Sequence, residues 1–341
     1  MLRPIVVTGY GGFLGREVTR QLLRRGETVI GLARTDHAAK FATENASRLQ
    51  TMRVDLADAP ATAAVFASLE PIGAIIHTAA VAGVWGPRSV YQRANVDATR
   101  NIIAACREHQ IERLVHTSSP SVTFGGEHQS GVDESVPYPD RHLCHYSETK
   151  AIAERLVLDF DASSRTRAVA LRPHLVWGND DPHLIPRVID RARRGRLRIV
   201  GDGTNRIDTI HVTDAASAHI NALDALSDHP DRCGGRAYFL SADQPVIAWQ
   251  WIRELCAIHD VSPPTRRVSY RTAHAIGAML ETVYGGLGVR REPPMTRFVA
   301  AQLAKDHYFD ITAAKERLGY QVQTSIEDGM EQLRDQFTSA E

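Results

Sequence analysis

The sequence predicts an α/β protein, a doubly wound parallel sheet with helices on both faces, followed by a smaller mixed C-terminal substrate-binding region. Three observations predict it. A glycine-rich turn follows the first short apolar run directly. Apolar runs then alternate with helical patterns through the first half. After about Pro173 that rhythm breaks. Such alternation marks parallel strands joined by helical crossovers.

Taken in order, the first strand is expected over Ile5 to Thr8, where β-branched residues dominate. Gly12 to Arg25 carries Val18, Leu22 and Leu23 on one face and reads as a helix. Thr28 to Ala33 is the second strand, and Met52 to Val54 a weaker third. Ala74 to Thr78 is a buried strand, followed by a long helix from about Ser89 to His109. Arg113 to Thr117 is the next strand, Tyr146 to Asp159 a helix, and Ala168 to Leu171 a further strand. Pro173, Pro182 and Pro186 then punctuate the chain, and Gly201-Asp202-Gly203 marks a turn. Residues 1–175 are expected to form the nucleotide-binding domain. Residues 176–341 are expected to be mainly the substrate-binding region, with some segments, such as a strand near Phe239, returning to the large sheet.

Composition excludes several classes. Lys plus Arg number 40 and Asp plus Glu number 40, so nothing favours nucleic acid or an acidic membrane as the main partner. The basic run from Arg187 to Arg198 reads as a solvated helix face. Cys106, Cys144, Cys233 and Cys256 are far apart and form no CxxC pair. Neither a disulfide framework nor a metal site is expected, and reduced thiols fit a cytoplasmic protein. The chain opens into its first strand without a basic-then-apolar leader, so no secretory signal is expected. No stretch approaches the ~20 apolar residues that span a bilayer. Ala273 to Gly288 comes nearest and is interrupted by Glu281. Its Ile276, Met279, Leu280 and Val283 recur at helical spacing. A core or lid helix over the substrate pocket is expected there, with peripheral contact to a lipid surface as the alternative.

The chemistry begins at Thr8-Gly9-Tyr10-Gly11-Gly12-Phe13-Leu14-Gly15. Of Gly9, Gly12 and Gly15, one permits a tight turn, one lets the backbone approach a pyrophosphate, and one allows close helix–strand packing. The helix start at Phe13 and Leu14 then offers N–H groups and a partial positive charge to phosphate. The end of the second strand bears on the cofactor. An acidic residue there would hold the ribose hydroxyls of NAD, but this chain has Arg34, which suits a 2′-phosphate. NADP(H) is therefore favoured over NAD(H), with Asp36 as the counter-argument. Asp55 is placed to accept from the adenine amino group, with Leu56 on the ring. The small residues after His77, Ala79 among them, let the backbone pass close to the cofactor, and His77 itself reads as structural.

Tyr146 and Lys150 stand one turn apart at the start of a predicted helix and share a face. An ammonium so placed is expected to lower the tyrosine's pKa and let it exchange a proton near neutral pH. Thr117-Ser118-Ser119 ends a strand, and a serine there can hydrogen-bond the substrate oxygen opposite Tyr146.

GxxGxxG near the start, TSS at a strand end and YxxxK downstream resemble the extended short-chain dehydrogenase/reductase family over nearly the whole chain. The resemblance implies a Rossmann-type fold with Ser119, Tyr146 and Lys150 as the catalytic group, Lys150 also binding the nicotinamide ribose. Pro173 is placed with the cofactor-binding residues. Leu114 to Val122, Leu171 to Gly178, Asp181-Pro182-His183-Leu184 and Thr296 to Asp310 resemble the 3β-hydroxysteroid dehydrogenase-like branch. That branch includes sterol-4-carboxylate dehydrogenases and bacterial reductases of 2-alkyl-3-oxoalkanoates in long-chain olefin biosynthesis. The likeness to the latter implies reduction of a lipid-like β-keto acid, a homodimer, and pathway enzymes as possible partners. The substrate carboxylate needs a cation, for which Arg172, His174, His183 and Arg206 are the candidates. A sugar-nucleotide epimerase or dehydratase shares the cofactor and YxxxK, and Gly201 to Asp208 resembles a segment of those enzymes. Arg34, Pro120 and the 171–184 stretch argue against it. A non-catalytic NADP(H) sensor is disfavoured because Ser119, Tyr146 and Lys150 are all intact.

Overall fold

The computed structural model describes residues 3–41, 46–69 and 71–339. Its centre is seven parallel strands: β1 (Ile5–Thr8), β2 (Val29–Ala33), β3 (Leu49–Arg53), β4 (Ala74–His77), β5 (Arg113–Thr117), β6 (Arg167–Pro173) and β7 (Arg236–Leu240). Their order across the sheet is β7-β6-β5-β4-β1-β2-β3. The chain winds outward from β1 to β3, returns to β4, and winds outward the other way. The reversal lies between β1 and β4, where Thr8 pairs with His77. Ligands of such sheets bind beyond the carboxyl ends of the strands at that reversal.

Alternation along each strand builds two apolar layers. Ile5, Val7, Ile76, Val115 and Val169 face one side, and Val6, Ile75, Leu114 and Ala168 the other. Six helices bear on the site: α1 (Phe13–Arg24), α2 (Ala59–Ala67), α3 (Ala98–Glu108), α4 (His145–Ser163), α5 (Val212–Asp228) and α6 (Tyr270–Gly286). α1 covers the first face with Val18, Leu22 and Leu23, beside α5 with Ala215, Ala218, Ala222 and Leu226. α2, α3 and α4 cover the second with Phe66, Ile102, Cys106, Val157 and Phe160. The alanines of α5 let it lie close against the sheet and α1.

Two elements differ from expectation. The long helix from Ser89 to His109 is broken into Arg88–Tyr91, a wide π turn at Gln92–Asp97, and α3. The extra residue in that turn frees Asn95 to serve a neighbouring loop, as π bulges at functional sites commonly do. α5 was not marked in the sequence at all. It lies in the second half of the chain yet packs on the nucleotide-binding face beside α1.

The remaining C-terminal segments form a second core around Trp177, Ile185, Trp249, Trp251 and Ile252. A small mixed sheet joins Gln129–Val132, Arg206–Ile207, Val246–Ile247 and His307–Phe309. α6 rests on the chain at Thr296 and Arg297 through Gly277, where a Cβ would lie 2.6 Å from the Thr296 carbonyl carbon. Its opposite face leaves Ile276, Met279, Val283 and the following Leu287 exposed. Among the described residues, no helix is long and apolar enough to cross a membrane.

Candidate active site

The glycine turn forms a cradle at the β1/β4 crevice. Gly9 has φ of 68°, and a Cβ there would sit 2.9 Å from the Ala79 Cα. A Cβ at Gly15 would lie 2.2 Å from the Gly9 carbonyl oxygen. Any side chain would therefore break the turn or push α1 away from the sheet. α1 starts at Phe13 with Gly12 as a cap that offers no side-chain acceptor, and its first turn holds no acid. Its first N–H groups and positive dipole end are left for an anion. Leu14 packs on the core behind this turn. The groove is lined by Gly9, Gly12, Ala33, Arg34, Asp55, Leu56 and Ala79, among others. A loop that only glycine can form, an uncapped helix start and an arginine at the rim fit a dinucleotide phosphate.

The two carboxylates expected near the adenosine are already engaged. Asp36 accepts from the Tyr10 hydroxyl (3.0 Å) and the Ala38 N–H (2.9 Å). Asp55 accepts from Arg93 Nη2 at 2.7 Å, and that hydrogen bond holds its carboxyl below the usual range. Arg34 is exposed at the groove edge. The loop after β4 is pinned from beneath: the Ala79 N–H donates to Thr8 Oγ1 (3.2 Å), and Thr78 Oγ1 donates to the Thr8 carbonyl (2.7 Å). His77 Nδ1 lies 2.7 Å from Thr8 Oγ1, and its Nε2 3.2 Å from Thr99 Oγ1. Burial drives its pKa down to about 3, so it is a neutral structural strut, as the sequence reading held.

Ser119 lies just beyond β5 and Tyr146 in the first turn of α4, and the Ser119 hydroxyl is near enough to act on the Tyr146 phenol. The Ser119 hydroxyl also accepts from the Ser121 N–H at 3.2 Å. Lys150, one turn along α4, is 2% exposed. Its ammonium donates to the Thr117 carbonyl and to His116 Nε2 (3.3 Å). His116 Nδ1 is buried, with no hydrogen-bond partner among the described residues. The expected lowering of the Tyr146 pKa by Lys150 is not what this geometry gives. The ammonium points to the strand end, and burial raises the phenol, with only the Ser119 hydrogen bond opposing. Burial also brings Lys150 down to about 8, against the pull of Glu154.

The lysine's shift has a consequence for stability. Between pH 8 and 10.5 the unfolded chain holds this proton and the native state has released it, so the native state gains stability as pH rises. Wild type is therefore expected to gain on Lys150→Met by about 3 kcal/mol across that window. Paired denaturant titrations at pH 7.5 and 10 check this, and an equal gap at both would refute it.

Asn95 was missed by sequence reasoning. It is 1% exposed; its Oδ1 accepts from the Val81 N–H at 2.8 Å, and its Nδ2 donates to the Val81 carbonyl (3.1 Å) and Thr149 Oγ1 (3.2 Å). It ties the loop after β4 to α4. A polar residue interrupting an apolar helical face was the available signal.

Beside Cys144 opens a second cleft of about 690 Å³. Its walls are the loop at Val84–Tyr91, the segment at Asp140–Glu148, and the end of α6 with Val289, Arg290 and Arg297. Trp85 Nε1 donates to the Val289 carbonyl at 2.9 Å and joins two of these walls. None of the four cations expected to hold a substrate carboxylate lines it. Arg172 is buried against Glu154 with contacts of 2.6 and 3.0 Å. His174 is buried against His307 Nδ1 at 2.6 Å. His183 is exposed and donates its N–H to Asp181, which caps the following helix. Arg206 stacks over Tyr308 on the small sheet. Pro173 is buried at the end of β6, paired with Leu240, and lines neither cleft. The Arg187–Arg198 run is not wholly a solvated face, because Arg187 and Arg191 both pair with Glu292.

A Rossmann-type sheet with a phosphate cradle at its reversal, and a Ser-Tyr-Lys group where β5 and α4 meet, defines an NAD(P)-dependent oxidoreductase. Residues 6–268 match the model of the 3-beta hydroxysteroid dehydrogenase/isomerase family, and the chain belongs to that family. It is 44% identical to the 2-alkyl-3-oxoalkanoate reductase of Shewanella oneidensis, over 96% of this chain and 84% of that one. It is 42% identical to the protein of that name from Stenotrophomonas maltophilia, over 97% and 98%. Among solved structures it resembles MoeE5 in complex with UDP-glucose and NAD, with a TM-score of 0.73, 26% identity and 99% of both chains covered.

Proposed function

We propose that the protein reduces a 2-alkyl-3-oxoalkanoate to the 2-alkyl-3-hydroxyalkanoate with NADPH, as a step toward long-chain olefins or β-lactones. The observation that carries this reading is Ser119 at the end of β5 beside Tyr146 and Lys150 on α4, in a chain over 40% identical to two reductases of that name. Bound in the groove, NADPH supplies the hydride. Ser119 donates a hydrogen bond to the ketone oxygen, and Tyr146 gives that oxygen its proton. Burial disfavours the phenolate, so Tyr146 carries the proton it would give. Lys150 places a positive charge beneath the site in a water-poor setting, where such preorganised charge is worth most.

NADPH is favoured because Arg34 is exposed at the groove rim while Asp36 is held by Tyr10 and the Ala38 N–H. Arg34→Ala is expected to raise KM for NADPH roughly 10-fold through loss of a charge-assisted contact. KM for NADH should hardly change. Equal changes for both cofactors would refute this assignment.

The test of function is nicotinamide absorbance in the oxidative direction, since free β-keto acids decarboxylate readily. Turnover of a 2-alkyl-3-hydroxyalkanoate with NADP supports the proposal. Turnover of 3β-hydroxysterols alone would move the enzyme to a sterol substrate. Silence with both, together with tightly bound NAD, would favour a sugar-nucleotide enzyme.

A further inference from the structure

The second cleft contains an arginine built like a carboxylate receptor. Arg297 stands at the start of the helix Arg297–Gln302, directly under α6. Glu281 of α6 accepts from its backbone N–H at 2.7 Å and from its Nε at 2.6 Å. Glu281 is itself only 12% exposed, so this support is firm. Holding Nε and the backbone fixes the plane of the guanidinium. The two Nη groups donate no hydrogen bond to the described residues, and Arg297, its side chain 46% exposed, lines the cleft. A guanidinium with its terminal fork free presents two parallel donors, the geometry that matches a carboxylate bidentately. Cys144, two residues before Tyr146, lines the same cleft.

We infer that Arg297, positioned by Glu281, anchors the carboxylate of the substrate, with the apolar wall of Val84, Trp85, Leu143 and Tyr284 receiving the alkyl chains. The inference rests on the proposed function for the identity of the acid, but its test does not. Glu281 leaves the arginine half-neutralised, which limits the cost of an unfilled site. The same partner sets the guanidinium's direction, so Glu281 is a positioning residue rather than a contact.

The probe is a 2-alkylalkanoate, which lacks the reacting oxygen, compared with its methyl ester. Binding is followed by tryptophan fluorescence. Trp85 lines the cleft, whereas Trp177, Trp249 and Trp251 are buried in the second core. Arg297→Gln is expected to weaken the acid roughly 10- to 100-fold and leave the ester within about 2-fold, the range of a charged hydrogen-bonded contact. Arg297→Lys keeps the charge without the fork and should fall between. Glu281→Gln should weaken the acid by a smaller factor, again sparing the ester. Acid and ester weakened together would show a merely structural arginine and overturn the inference, as would an unchanged affinity for the acid. Acid binding lost with Arg297, in an enzyme that does not oxidise the hydroxy acid, would uphold the anchor and overturn the proposed reaction.

Discussion

Tyr146→Phe is expected to lower kcat by roughly 10²- to 10⁴-fold, the range for loss of a positioned general acid. The cofactor should still bind, because the cradle at Gly9, Gly12 and Gly15 and the start of α1 lie on other elements. KM should change little, since the hydroxyl contributes most in the transition state. Circular dichroism of the variant should match wild type, as only one oxygen is removed at a partly exposed position. Single-turnover absorbance at saturating cofactor provides the measurement. Activity within a factor of ten of wild type would remove Tyr146 from its role and require another proton donor, with Ser119 the first candidate.

The largest effect on stability is expected at Glu154 and Arg172. Their side chains are 0% and 4% exposed and join by a two-point contact, with the Tyr138 hydroxyl donating to Glu154 at 2.6 Å. Breaking such a pair leaves one charge buried and unmatched, at a cost of about 3–5 kcal/mol. Arg172→Met should therefore lower the urea midpoint sharply, whereas Glu154→Leu combined with Arg172→Met should recover most of the loss. Burial pushes the Glu154 carboxyl up, but Arg172 together with neighbouring hydroxyls outweighs it and holds the group below its usual range. A carboxyl with a lowered native pKa contributes stability above its unfolded value. That part is lost as pH falls through the native one. A single variant as stable as the double one would show that the pair carries no such burden.

The sheet and its cradle were legible because their signals are local. β1, β2, β4 and β5 are short apolar runs bounded by turn residues, and Gly9 to Gly15 follows β1 without a gap. Ser119, Tyr146 and Lys150 could be read because strand end and helix start each fix one side of the pair. The fold sets Ser119 beside Tyr146, while the direction of the Lys150 ammonium had to come from the fold. The substrate cations were illegible for a physical reason. Arg172 and His174 look like site residues because they adjoin the strand end, yet β6 is an inner strand and both are buried. Arg297 lies more than 140 residues beyond Tyr146, and only the packing of α6 on Thr296 and Arg297 brings it to the cleft. α5 escaped notice because its alanines give little amphipathic contrast, although they are what lets it approach the sheet.

The seventh strand has a bearing on how the molecule comes into being. β7 pairs with β6 along five residues, from Arg236 with Val169 to Leu240 with Pro173. β6 is therefore an open edge until the chain has been made as far as Leu240. A nascent chain ending before that point would carry an unpaired apolar strand, Arg167–Pro173, and α1 without the α5 surface it packs beside. Open edges of this kind invite pairing with other chains. The sheet is closed on that side only by a strand from the second half of the chain, and α1 meets α5 only once residues 212–228 are made.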